Sequence, residues 1–143
     1  GRKVYGGGGI TPDIYIDIDS IELSSALIEA YNDVKFEHAA IDILDRVSTE
    51  SIIKQWPTYK AFNDKFLLSN ELKEIFYHNA EIEAEALSDR ERKFIEAMLL
   101  ATIAESIYGE QARHYIYGIR FDRMMHQAMA IANDEELIRN TLL

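Results

Sequence analysis

A mainly α chain, a bundle of six to seven helices preceded by a short glycine-rich loop and a strand, is what three features of the sequence predict. Apolar residues recur three and four positions apart from Leu23 onward, the spacing of one helix face. Capping residues divide that pattern into segments. The 143 residues are 48% hydrophobic and 28% charged, the balance of a folded domain. This length suffices for one domain with a sizeable core and is short for two.

The N-terminal stretch reads as loop and strand. Four consecutive glycines, Gly6 to Gly9, are costly to order and suit positive φ or a close backbone approach. Thr11-Pro12 forces an extended or turn geometry. Ile14, Tyr15, Ile16 and Ile18 have the β-branched and aromatic content of a short strand.

Asp19 or Ser20 then reads as an N-cap. Leu23, Leu27, Ala30, Tyr31 and Val34 form one helical row, and Phe36, Ala39, Ala40, Ile43, Leu44 and Val47 form another. The phase changes near Lys35, so two helices or one bent helix fit equally. Ser48 or Thr49 caps a short helix through Ile53, which Trp56-Pro57 stops. Pro57 suits the first turn of the next helix, with Tyr59, Phe62 and Phe66 as its apolar row. Ser69-Asn70 caps a helix bearing Leu72, Ile75, Phe76 and Ile82, and Glu81, Glu83 and Glu85 mark a solvated end or linker.

Ser88-Asp89-Arg90-Glu91 fits a capping box, in which serine and glutamate satisfy helix-end amides reciprocally. The helix it opens runs through Ala97-Met98-Leu99-Leu100-Ala101-Thr102-Ile103-Ala104, apolar on nearly every side. A helix of that kind is packed on several faces, so it is the expected centre of the bundle. Gly109 should end it. A short helix from Ala112 to Tyr117 should break at Gly118. The last long helix carries Phe121, Met125, Ala128, Met129 and Ala132 on one stripe, before Asn133-Asp134 interrupts it. The methionines Met124, Met125 and Met129 fall at core spacing, so a bundle interior is expected for them.

The opening residues carry a family likeness. Gly-Arg-Lys-Val-Tyr-Gly-Gly-Gly-Gly-Ile-Thr-Pro-Asp-Ile, residues 1 to 14, resembles the end of the protease core in carboxyl-terminal processing (tail-specific) peptidases, the S41 serine peptidases, in the four-glycine form of Bacteroidetes-type members. Phe94 to Ala130, with Ala101 to Ala104 before Tyr108-Gly109, is similar to their helical extension. The resemblance implies that residues 1–19 end the peptidase core and residues 20–143 form a helical C-terminal domain. Family catalysis uses a serine and a lysine upstream of the glycine run, so neither lies in this chain. The resemblance also implies a periplasmic or envelope setting, the rest of the peptidase chain and protein substrates or an adaptor as partners, and pairing with further copies.

No catalytic, cofactor-binding or metal-ligating residue is expected here. Three acid-histidine pairs, Glu74/His78, Glu110/His114 and Asp122/His126, share helix faces at i,i+4. Carboxylate-bridged dimetal bundles use Glu-x-x-His at i,i+3 instead, so these pairs read as surface ion pairs. Ser24 or Ser25 with Lys35 fails as a nucleophile and base, since three turns of helix, ~16 Å, would separate Ser24 from Lys35. The glycine run lacks the Gly-Lys-Ser/Thr ending of a phosphate loop. Trp56, Tyr108, Tyr115 and Tyr117, aromatic with polar tips, suit a core edge or an interface.

A net charge of −10 argues against nucleic acid or an anionic membrane as partner. The chain has no cysteine, which excludes disulfides and thiol catalysis. No apolar run approaches the ~20 residues of a membrane span.

Overall fold

The computed structural model describes Pro12 and residues 14–142, with side chains as far as Asn140. The expected bundle is formed. Nine α-helices occur among the described residues: α1 (Ser25–Asn32), α2 (Lys35–Val47), α3 (Thr49–Gln55), α4 (Tyr59–Lys65), α5 (Asn70–Ala80), α6 (Asp89–Tyr108), α7 (Glu110–Arg120), α8 (Arg123–Ala132) and α9 (Glu135–Leu142). A 3-10 turn at Ala84–Ala86 leads into α6. The helix count exceeds the predicted six to seven because the phase break near Lys35 is a true junction and the residues after Asp134 form a helix of their own. Val34 sits there at φ 53°, a left-handed conformation that a β-branched residue rarely adopts.

The capping residues act largely as read. Ser69 Oγ accepts from the Leu72 amide, and Ser88 and Glu91 close the full capping box. Gly109 at φ 92° ends α6. Other expectations are corrected. The first helix begins at Ser25 behind Ser24, not behind Asp19 or Ser20. Pro57 precedes the N-cap Thr58 rather than entering α4, because Thr58 Oγ1 accepts from the Ala61 amide. Gly118 does not break α7, which continues to Arg120. Met125 packs against Gly118, its Cγ and Cε 3.5 Å from where a Cβ would stand, an ordinary van der Waals contact.

The centre is α6, as its composition predicts. Ala97 to Ala104 are eight consecutive buried residues. Eight residues exceed two helical turns, so every side of that helix is covered. It packs against α7, α2 and α4, while α5 packs on α2. Phe36 of α2 stacks on Phe76 of α5 at 4.4 Å between ring centroids and meets Phe94 of α6 edge-on at 6.0 Å. The four aromatics left open between core and interface belong to the core edge. Tyr108 Oη donates to the Trp56 carbonyl at 2.5 Å, Tyr59 meets Tyr115 edge-on, and Tyr117 packs against Phe94.

No strand forms among the described residues, and the one expected at Ile14 to Ile18 is corrected accordingly. Residues 15–24 instead run as an irregular strap across the bundle. Asp19, Ile21 and Leu23 are half-buried while Ser20, Glu22 and Ser24 face outward, the period-two alternation of an extended chain. Ile21 and Leu23 pack on the core, whereas Tyr15 and Ile18 are 72% and 85% exposed. The pattern that suggested a strand is used here to lay a strap on helices. The glycine run Gly6 to Gly9 lies outside the described residues.

Candidate functional site

A dense polar construction lies where the strap meets the start of α6. Glu91 is the third residue of α6, and only 7% of it remains exposed. One carboxylate oxygen accepts from the Ser24 amide at 2.8 Å. The other accepts from the Ser88 amide and the Ser88 hydroxyl, both at 2.9 Å. These bonds, the Ser24 amide foremost, hold its pKa down to about 2. The positive end of the α6 dipole favours the same charge.

Beside this clasp, Arg90 donates to Asp19 at 2.5 Å and its guanidinium lies 5.7 Å from the Phe121 ring centroid. Arg123, at the start of α8, reaches the other oxygen of Asp19 at 3.7 Å. Thus Asp19 and Ser24 fasten the strap at two points, one to Arg90 and one to Glu91. Every strong acceptor in the arrangement is engaged by a fixed donor. It is built to hold chain segments together and leaves no carboxylate placed as a base.

A second charged cluster joins three helices. Arg113 of α7 donates to Glu105 of α6 at 2.7 Å and lies 3.9 Å from Glu37 of α2. Burial alone would lower the guanidinium pKa, but the two carboxylates outweigh it and raise it. Alongside is a crevice of about 340 Å³, lined by Leu23, Tyr31, Phe94, Met98, Arg113, His114 and Tyr117. Burial also pushes the Tyr117 phenol up. Both carboxylates are paired to Arg113, and the walls of the crevice are mostly apolar, with His114 at its exposed edge.

An open groove of about 530 Å³ runs between α2 and α5, lined by Asp42, Asp45, Arg46, Glu71, Glu74, Ile75, His78 and Asn79. Asn79 donates to Asp42 at 2.8 Å across it. Glu74 and His78 both line this groove. Glu110 and His114 are an exposed pair at 3.4 Å, and His126 bonds to the Ile119 carbonyl at 2.6 Å rather than to Asp122. Asp122 instead caps α8. Among the described residues no three His, Asp or Glu side chains gather as metal ligands. Ser24 serves as the N-cap residue of α1 and Lys35 begins α2, on opposite sides of the α1 helix in sequence.

The connection that sequence reasoning missed is Ser24 to Glu91, because its ends are 67 residues apart. The capping-box motif located Glu91 but gave no sign of a second client. Comparison with protein-family models, with curated proteins and with solved structures returns no match to this chain. No helix among the described residues is long and apolar enough to cross a membrane.

Proposed function

We propose that this chain is the non-catalytic helical C-terminal portion of an S41-type carboxyl-terminal processing serine peptidase. The observation that carries this reading is the run from Arg2 to Asp13, with its four glycines followed by Ile-Thr-Pro-Asp. Two features support it. The residues after the run form a helical bundle, in keeping with a helical extension. The strap that follows the run is fastened to α6 through Asp19 and Ser24, as a joint to a preceding domain requires.

In this reading a serine activated by a lysine, both upstream of Gly1, cleaves proteins near their C-termini. The bundle supports that core, pairs subunits, or presents a surface to substrate or adaptor in the cell envelope. The purified chain is expected to leave an unfolded protein such as casein intact. The coding sequence directly upstream of Gly1 is expected to specify a strand-rich region, with a serine among small residues and a lysine after it. Cleavage by the chain that is lost on replacing one of its own serines would overturn the proposal. So would an upstream sequence lacking that serine and lysine.

A second reading, an independent helical protein-binding or scaffold domain, is favoured by α8, which has no buried residue and whose Met124, Met125 and Met129 stand exposed, a correction of the interior position expected for them. Under it the upstream sequence has no peptidase character.

A further inference from the structure

The four methionines of the chain are placed unequally. Met98 lies in α6 and is 5% exposed, whereas Met124, Met125 and Met129 all lie in α8 and are 37%, 43% and 42% exposed. A mild peroxide acts on cysteine and methionine, most readily where solvent reaches the sulfur. The chain has no cysteine, so the thioethers of α8 are the first groups such an oxidant meets.

The same helix is lightly held. None of its ten residues is buried, and only Ile131 is half-buried. Met125 seats it on α7, with Cγ and Cε each 3.5 Å from the position a Cβ of Gly118 would take. The sulfur between those carbons lies beyond 4 Å, so the thioether arches over Gly118 with its sulfur turned away from that glycine. Polar ties complete the attachment: His126 to the Ile119 carbonyl, Arg123 to Asp19, and the Asp122 carboxylate that accepts from the Met125 amide at 3.1 Å. An isolated helix this short is marginal in water and depends on its packing.

We propose that α8 is an oxidation-sensitive element, with Met125 as the site through which a hydroperoxide loosens it from α7. The step is a two-electron oxygen transfer. A lone pair of Sδ attacks one peroxide oxygen, the O–O bond breaks and an S–O bond forms. The proton on the attacked oxygen passes to the departing one, so hydrogen peroxide is reduced to water while the thioether is oxidised to the sulfoxide. The product is polar, and hydration of its S–O dipole opposes the resting of Cγ and Cε on Gly118. Met124 and Met129 take up oxygen as well, while the core around Met98 spares it. A dithiol-dependent sulfoxide reductase reverses the change, yielding thioether, disulfide and water. The proposal does not rest on the peptidase reading.

After treatment of the chain with hydrogen peroxide, peptide mass spectrometry should find Met124, Met125 and Met129 converted at least about tenfold faster than Met98. Amides of α8 in the oxidised chain should exchange hydrogen at least about tenfold faster than in the untreated chain, with those of Ala97 to Ala104 unchanged. Met125→Leu is similar in size and has no oxidisable sulfur. Treated alike, it should keep its untreated exchange rates although Met124 and Met129 are oxidised. The double variant Met124→Leu/Met129→Leu retains Met125 and should loosen as wild type does. A methionine sulfoxide reductase with dithiothreitol should restore the original rates in the oxidised wild type. Oxidation of Met98 at an equal rate overturns the proposal, as does α8 exchange that oxidation leaves unchanged. Loosening of oxidised Met125→Leu to the wild-type degree overturns it too, since the seat on Gly118 would then carry none of the effect.

Discussion

The carboxylate of Glu91 accepts hydrogen bonds from two segments that the chain brings together only on folding. Its pKa falls from 4.5 to about 2 in the folded state, so the folded form holds the charge more strongly than the unfolded chain does. The corresponding stability is fully present above about pH 4.5 and is lost as pH falls toward 2. From the shift, its upper bound is about 3 kcal/mol. Glu91→Gln keeps the shape and removes the charge. Urea unfolding at neutral pH should show that variant about 2 kcal/mol less stable than wild type. Its stability should also change less than that of wild type between pH 5 and pH 2. Parallel pH profiles for the two proteins would refute the assignment. Asp89, by contrast, is lowered by its Arg92 partner at an exposed position, where water screens the pair.

At the scale of helices, Gly118 is a glycine that its surroundings do not require. The residue is helical and buried, and Met125 of α8 lies in ordinary contact with the position a Cβ would take. Gly118→Ala should therefore fit, and it should raise stability by about 0.5–1 kcal/mol through helix propensity and reduced freedom of the unfolded chain. Thermal unfolding checks this; a fall in Tm would mean that α7 and α8 approach more closely than the contact indicates. Local signals were legible in the sequence. The capping box at Ser88, the cap at Ser69, the stop at Gly109 and the break near Lys35 each depend on residues a few positions apart. Long-range features were not. Apolar spacing identifies residues that share a face but not what that face meets, so Met124, Met125 and Met129 read as core and stand exposed. Alternation at Asp19, Ile21 and Leu23 signals extended backbone, whether its neighbour is a strand or a helix. Glycine at position 118 lowers helix propensity without ending the helix, since packing on neighbouring helices holds α7 through to Arg120.

Across the whole molecule, order is unevenly distributed. Burial concentrates on α6 and the helices around it, while α8 and α9 have few contacts beyond α7 and each other. Hydrogen exchange on a dilute sample should rank these regions. Amides of Ala97 to Ala104 should exchange only on global unfolding, and those of α8 should exchange at least about tenfold faster. Equal protection of the two regions in dilute solution would contradict that gradient.

That gradient bears on how unfolding is observed. The chain has one tryptophan, Trp56, between α3 and α4. Its ring meets Phe66 edge-on at 5.4 Å, and its carbonyl accepts from Tyr108 at the end of α6. The chromophore thus sits in the well-packed part, far along the chain from α8. Its emission follows dissolution of the centre and stays silent while the C-terminal helices melt. Circular dichroism counts every helical residue and records both events. Two optical signals from one sample therefore separate fraying at the edge from loss of the core, with no added label.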